Sequence, residues 1–417
     1  MSEVLSGTAI IVGAGHAAGE LAIHMRDNGW RGRISVIGEE SSLPYHRPPL
    51  SKAYLAGTVT AQSLLIKPMA VFESANIEFI GGVRVNAIDR ASARVHLADG
   101  RTAHYDRLIL ATGGRPRPLP VPRIQQRTPD NLHYLRTLAD VDRMREQFKP
   151  GKRLVIIGGG YVGLEVAAVA IERGLHVTIL EALPRVLARV TAPELSAFYA
   201  AQHRNAGVEI RTDTQVEDVQ LDPSGNTITT VVSVDGSWVE ADLVVVGIGL
   251  VPNVELASDA GLAVDNGILV DEFGQTSDPN IYAAGDCTNH PNRFFGRRLR
   301  LESVPNALEQ ARCVAASVCG IPKAYASVPW FWSDQYHLKL KMVGLSQGYD
   351  QLVMRGTTES ECFAAFYLKD GYLLAVDTVN RAPEFMLAKR LISERIRVDP
   401  CRLADEDIPV KDWLTHP

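Results

Sequence analysis

The chain has 417 residues and a formal net charge of −5, with 46% hydrophobic and 22% charged residues. That is enough for about two to three domains with ample core, and it leaves no global case for nucleic-acid binding. The longest apolar runs are strand-length and no basic-then-apolar leader precedes the first strand, so neither a membrane span nor a secretory signal is expected; five thinly spread cysteines fit a reducing cytoplasm without a disulfide framework.

The first element is a short β-branched run, Ile10-Ile11-Val12, which reads as a buried parallel strand. It stops at Gly13-Ala14-Gly15, after which Ala17, Ala18, Leu21, Ala22 and Met25 fall at helical spacing. Gly13, Gly15 and Ala18 fit the pattern G-x-G-x-x-[GA]. The first glycine permits a tight turn, the second lets a pyrophosphate approach the backbone, and the third small residue lets helix and strand pack closely. The helix start offers free N–H groups and partial positive charge to phosphates. A second strand, Arg33 to Ile37, ends at Gly38-Glu39, where an acid is placed for a ribose hydroxyl.

Next comes Tyr45-His46-Arg47-Pro48-Pro49-Leu50-Ser51-Lys52. The prolines fix an extended approach, and a helix is expected from near Leu50 towards Leu55. Arg47 and Lys52 then stand at a stiff junction, either as a fixed functional pair or as two solvated cations. Ile77–Ile80 and 93–97 read as strands, with Val83 just beyond the first and a turn at Ala98-Asp99-Gly100. The apolar run ending Leu110-Ala111-Thr112-Gly113 lets backbone pass close to a cofactor. The proline-rich stretch 115–122 is the first crossover between domains.

The glycine fingerprint then recurs. Leu154 to Ile157 leads into Gly158-Gly159-Gly160-Tyr161-Val162-Gly163, a helical stretch follows, and the strand His176 to Leu180 ends at Glu181. Two complete strand–loop–helix–strand–acid units imply two dinucleotides. The run 242–249 closes the second unit on Gly247-Ile248-Gly249, and 250–253 returns the chain to the first. From about residue 328, alternating strand-like runs and a helix near 383–394 read as an α+β domain. The expected architecture is α/β: a discontinuous first dinucleotide domain (1–118 and 251–327), a second dinucleotide domain inserted in it (119–250) and the C-terminal α+β domain (328–417).

The motif order GAGHAAGE, PYHRPPLSK, LILATGGRPR, GGGYVGLE, VVVGIGLVPN, TSDPNIYAAGDC and PWFWSDQY resembles the FAD-dependent NADH:ferredoxin reductases of the glutathione-reductase fold, the family of putidaredoxin and aromatic-ring-dioxygenase reductases. The resemblance covers nearly the whole chain. It implies FAD and NADH as cofactors and a separate acidic [2Fe-2S] ferredoxin, serving a cytochrome P450 or a Rieske oxygenase, as partner. By motif, it places Gly13, Gly15, His16, Ala17, Glu39, Arg47, Lys52, Val83, Ala111, Thr112, Gly113, Arg136, Asp286, Val304 and Trp332 on FAD. It places Gly158, Gly160, Tyr161, Val162, Gly163, Glu181, Gly247, Ile248 and Gly249 on the nicotinamide nucleotide. Pro305 stands where the family has a glutamine, and the alternative for Trp332 is a plain aromatic interface core with Trp330 and Phe331.

The resemblance also implies that Glu165 pairs with Lys52 near the flavin nitrogen that receives hydride; on its own, Glu165 is an ordinary first-turn acid favoured by the helix dipole. Glu181, accepting from both ribose hydroxyls and repelling a 2′-phosphate, points to NADH over NADPH, with Arg185 and Arg189 nearby. The region from Arg47 to Tyr54 lacks the redox cysteines of disulfide reductases and NADH peroxidases. Cys313 and Cys319 begin a cluster-like spacing, but Pro322 stands where its next cysteine belongs, so no metal site is expected. Ferredoxin docking is assigned to Arg297, Arg298, Arg300, Arg312, Lys339 and Lys341 or, equally, these form a plain solvated face. Rival functions are a flavin NADH oxidase or quinone reductase, and an NADH-sensing interaction protein resembling apoptosis-inducing factor.

Overall fold

The computed structural model describes residues 5–125 and 127–414. They group into two compact units. The first takes in the chain up to His46, Leu64–Arg115 and Val251–Phe331; the second takes in Arg47–Ser63, Pro116–Leu250 and the chain from Trp332 onward.

The first unit is built on a five-stranded parallel sheet in the order Ile281–Ala283, Arg107–Leu110, Ala9–Val12, Ile34–Ile37, Ile77–Ile80. Strand alternation divides its side chains between two cores. Ile11, Ile34, Val36 and Ile109 pack with helices His16–Asp27 and Val304–Val318, through Ala18, Leu21, Met25, Ala311 and Val314. Ile10, Val12, Leu108 and Leu110 pack on the other face with Val85, Ile88, Val95 and Leu97. These last four come from an antiparallel meander, Val85–Asp89, Arg94–Leu97 and Thr102–His104. A sheet covered on both faces is why its central strand, Ala9–Val12, is apolar and buried throughout instead of alternating.

The second unit repeats the parallel order: Glu209–Arg211, His176–Leu180, Arg153–Ile157, Leu243–Val246, Leu132–Tyr134. A three-stranded antiparallel sheet, Val216–Leu221, Ile228–Ser233 and Trp238–Glu240, covers one face through Val219, Ile228 and Val231. The C-terminal sheet runs Trp330–Gln335, Leu338–Gly344, Tyr372–Val379, Phe363–Lys369, Gln351–Arg355. The helix expected near 383–394 spans Ala382–Ser393.

One local expectation changes. The stretch after the prolines forms a 3-10 turn, Pro48–Ser51, and not a helix. Lys52 leaves helical space at φ −131°, ψ −113°, and the following residues close as successive turns, Ala56 N–H to Lys52 O at 2.8 Å and Thr58 N–H to Ala53 O at 3.0 Å. The aromatic stretch around Trp332 is itself an edge strand.

Candidate dinucleotide sites and a buried charge pair

Each parallel sheet reverses its strand order beside its central strand, and each glycine loop sits at that reversal, where α/β folds bind nucleotides. Gly13 (φ +109°) turns so tightly that a Cβ there would stand 2.2 Å from the Ala111 carbonyl of the neighbouring strand end. Gly158 (φ +110°) repeats the geometry at 2.5 Å from the Gly247 carbonyl. Thus Gly13 with Ala111, and Gly158 with Gly247, are brought together as backbone, which explains why glycine-rich ends recur there.

Gly15 and Gly160 serve differently. Each is the N-cap of its helix in extended conformation, with no side-chain cap, and a Cβ added at either meets nothing within 4 Å. The helix N–H groups of His16-Ala17 and Tyr161-Val162 therefore face open space that a phosphate suits. Gly163 sits against the loop itself, its Cβ position 2.2 Å from the Gly158 carbonyl. These cradles fit two dinucleotides.

Around the first loop, the Val83 amide donates to Gly38 O at 3.0 Å, which sets Val83 beside Glu39. The Glu39 side chain is 71% exposed and lies 3.7 Å from Arg84. Thr112 is held by a reciprocal pair of bonds with Asn253, at 2.7 and 2.9 Å, which fixes the Ala111–Gly113 turn. The Gly285 position touches the Ala17 side chain, and its N–H donates to Gln310 at 2.7 Å, leaving Asp286 half-buried at the turn. Val304 is the first residue of its helix, capped by Ser303. Pro305 sits in that first turn, where a helix needs no N–H. All these residues belong to the first unit; Arg47, Lys52, Arg136 and Trp332 belong to the second.

In the second unit, Glu181 is bonded into the glycine loop. Its carboxylate accepts from the Gly159 amide at 2.6 Å and the Leu183 amide at 2.9 Å. Arg185 is turned away, donating to Ser196 at 2.5 Å and to the Ala188 carbonyl at 3.0 Å; Arg189 is exposed. Ile248 is half-buried and Gly249 exposed at the neighbouring strand end. The Tyr161 hydroxyl lies 2.6 Å from the Met342 sulfur, so this first residue of the helix is tied to the C-terminal sheet. Arg47 donates to the Arg136 carbonyl at 2.5 Å.

The same unit holds the charge pair. Lys52 Nζ lies 2.7 Å from Glu165 Oε2, with the side chains 20% and 4% exposed. Ser51 donates to the same oxygen at 2.5 Å and Ser333 to Oε1 at 2.6 Å. Glu165 is therefore a buried carboxylate with three donors, and not a solvated first-turn acid. The two serines carried no sequence signal of their own. Ser51 gains its role from the Pro48–Ser51 turn, and Ser333 from a strand pairing far along the chain.

Of the six cations considered for docking, two are committed within the fold. Arg298 donates to the carbonyls of Val270, at 2.6 Å, and Asn289. Arg300, 13% exposed, pairs with Glu302 at 2.5 Å. Arg312 is 52% exposed and pairs with Glu20 at 2.7 Å; Arg297 and Lys339 are exposed, and Lys341 lies over the Phe385 ring. Among the described residues, no helix is long and apolar enough to cross a membrane.

Residues 7–311 match the family model for pyridine nucleotide-disulphide oxidoreductases, and residues 330–414 match a reductase C-terminal model. The chain is 52% identical over 405 residues to putidaredoxin reductase CamA of Pseudomonas putida, covering 97% of this chain and 96% of that protein. It is 42% identical to rhodocoxin reductase of Rhodococcus erythropolis, covering 96% and 93%. Among solved structures, it superposes on a covalent putidaredoxin reductase–putidaredoxin complex with a TM-score of 0.95 at 51% identity, covering 98% of each chain.

Proposed function

The chain belongs to the pyridine nucleotide-disulphide oxidoreductase family, and from that membership we propose that it passes electrons from NADH through FAD to a separate [2Fe-2S] ferredoxin that serves a cytochrome P450 or a Rieske-type oxygenase. The observation that carries this reading is the pair of glycine-loop cradles, one per unit, each open at its helix N-cap. FAD, when bound, supplies the exchange between a two-electron hydride donor and a one-electron acceptor. The Gly13–Ala17 loop receives its pyrophosphate and Glu39 its ribose, with Val83, Ala111–Gly113, Asp286 and Val304 lining it; Arg47, Arg136 and Trp332 are assigned to FAD by family motif alone. The Gly158–Gly163 loop receives the nicotinamide nucleotide and Glu181 selects NADH, with Gly247-Ile248-Gly249 alongside. Lys52 and Glu165 set the charge where hydride arrives. We assign the FAD domain to 1–118 and 251–327, the inserted domain to 119–250 and the C-terminal domain to 328–417.

The stretch from Arg47 to Tyr54 contains no cysteine, so a protein disulfide is not the acceptor; the relatives named for putidaredoxin and rhodocoxin support an iron–sulfur protein instead. For docking, Arg297, Arg312, Lys339 and Lys341 retain outward charge or reach, and Arg298 and Arg300 serve less directly. Five unpaired cysteines support a reducing, cytoplasmic setting. The deciding experiment is cytochrome c reduction by NADH with a panel of ferredoxins. Stimulation by an acidic [2Fe-2S] member is expected. Flavin reoxidation that is fast in air and unaffected by every ferredoxin would favour an oxidase.

A further inference from the structure

The carboxylate of Glu165 is one end of a longer buried array. Ser333 donates to Glu165 Oε1 at 2.6 Å, and the Gln335 amide nitrogen lies 3.2 Å from Ser333 Oγ. The Gln335 amide oxygen is 2.9 Å from His203 Nε2, and His203 Nδ1 is 3.0 Å from the Tyr336 hydroxyl. Ser333, Gln335 and His203 are each at most 1% exposed. Ser333 and Gln335 are alternate residues of one strand and so share its face; His203 comes from helix Pro193–Asn205.

The sense of every bond follows from the carboxylate end. A carboxylate ion-paired to Lys52 only accepts, so Ser333 must donate to it. With its one proton used, Ser333 Oγ accepts from Gln335, which turns the Gln335 NH2 towards Ser333 and its oxygen towards His203. His203 must then carry its proton on Nε2, leaving Nδ1 to accept from Tyr336. The opposite Gln335 orientation would make Ser333 donate away from Glu165 and strip Oε1 of its donor. Burial lowers the His203 pKa, in keeping with a neutral ring. The array ends at Tyr336, which holds φ +54° in the two-residue turn between strands Trp330–Gln335 and Leu338–Gly344. Tyrosine rarely adopts that conformation, and here it brings the phenol to His203.

We infer that Ser333, Gln335, His203 and Tyr336 are positioning residues for Glu165: a donor chain of single sense that holds Oε1 so that Oε2 stays on Lys52 and Ser51. Hydrogen bonds aligned head to tail strengthen one another, so the far end contributes to the near one. The array is not a proton path, because the Gln335 amide oxygen has no proton to pass on. The inference rests on the reading that the Lys52–Glu165 pair serves the electron-transfer site.

The test uses the flavin-loaded full chain with 15N-labelled histidine, the His203 signal being assigned by its loss in His203→Gln. Wild type is expected to show His203 protonated on Nε2 alone. Ser333→Ala should give a mixture of His203 tautomers and slow anaerobic flavin reduction by NADH about tenfold, the scale of one charge-assisted bond. Ser333→Thr, which keeps the hydroxyl, should restore both. Tyr336→Phe, at the less buried end, should loosen the tautomer and slow reduction about twofold, and it serves if Ser333→Ala does not fold. A wild-type proton on Nδ1, or either readout left at its wild-type value in both Ser333→Ala and Tyr336→Phe, overturns the array. Wild type that shows the Nε2 proton yet reduces no ferredoxin overturns the functional reading and leaves the array standing.

Discussion

Lys52→Met removes the one cation that, among the described residues, is paired with Glu165, and keeps most of the side-chain length. Glu165 keeps its two serine donors but becomes a buried charge without a counter-ion. Breaking a fully buried pair costs about 3–5 kcal/mol. Lys52 is one-fifth exposed and the serines remain, so a loss of about 2–3 kcal/mol is expected. If the cation also faces the charge that develops as hydride is delivered, flavin reduction should fall by about 10²–10³-fold. The two effects separate in a cycle. Adding Glu165→Gln to Lys52→Met removes the stranded charge, so most of the stability should return while reduction stays slow. Melting temperature reads the first effect, and anaerobic stopped-flow flavin absorbance with NADH reads the second. FAD content should stay near one per chain throughout, because the first unit's cradle is unaltered. A Lys52→Met protein that is destabilised yet reduced at the wild-type rate would show that the pair is structural and would refute its place in the reaction.

Glu181→Ala should narrow the preference for NADH over NADPH by about tenfold or more in kcat/KM, since a carboxylate near a 2′-phosphate is worth about 1–4 kcal/mol; wild-type protein using both coenzymes equally would refute the assignment. Asp377, 3% exposed and accepting from Tyr367 at 2.6 Å, has its carboxyl pushed up by burial to about 7. The folded state then holds a proton that the unfolded state releases from about pH 4 upward, so stability should decline from there to about pH 7 and level off; Asp377→Asn should flatten that slope and melt higher at pH 8, and an unchanged slope would remove Asp377 as its source. Arg312→Glu should raise the KM for ferredoxin several-fold, and added salt should weaken ferredoxin turnover more than ferricyanide reduction; identical ferredoxin kinetics would take Arg312 out of the docking face.

What the sequence made legible was local. Ile10–Gly15 and Ile156–Gly160 each carry strand, turn and helix start within about a dozen residues, because the backbone geometry they need excludes most side chains at Gly13 and Gly158. The strand runs of the C-terminal sheet after Trp330–Gln335 were legible through their alternation. Less legible were positions whose meaning comes from distant partners. Ser51 and Ser333 are common residues until the fold sets them 2.5 and 2.6 Å from Glu165. Arg298 and Arg300 look like solvated cations until the carbonyls of Val270 and Asn289, and Glu302, are brought to them. Two prolines hid the turn at Pro48–Ser51, since they are compatible with the first turn of either an α-helix or a 3-10 helix.

The two cradles share a backbone device but treat their acids differently. Glu181 is already fixed by the Gly159 and Leu183 amides, and each of its oxygens keeps a lone pair for a ribose hydroxyl. Its side-chain entropy is spent before the nucleotide arrives, which suits a ligand that must bind and leave in every turnover. Glu39 is 71% exposed beside Arg84 and, in its proposed role, would be ordered by the ribose it binds. That cost is tolerable where the ligand stays bound and many contacts share it. If Glu39 and Glu181 take the riboses of FAD and of the nicotinamide nucleotide as proposed, this difference between two otherwise matching strand ends matches one dinucleotide that stays and one that exchanges.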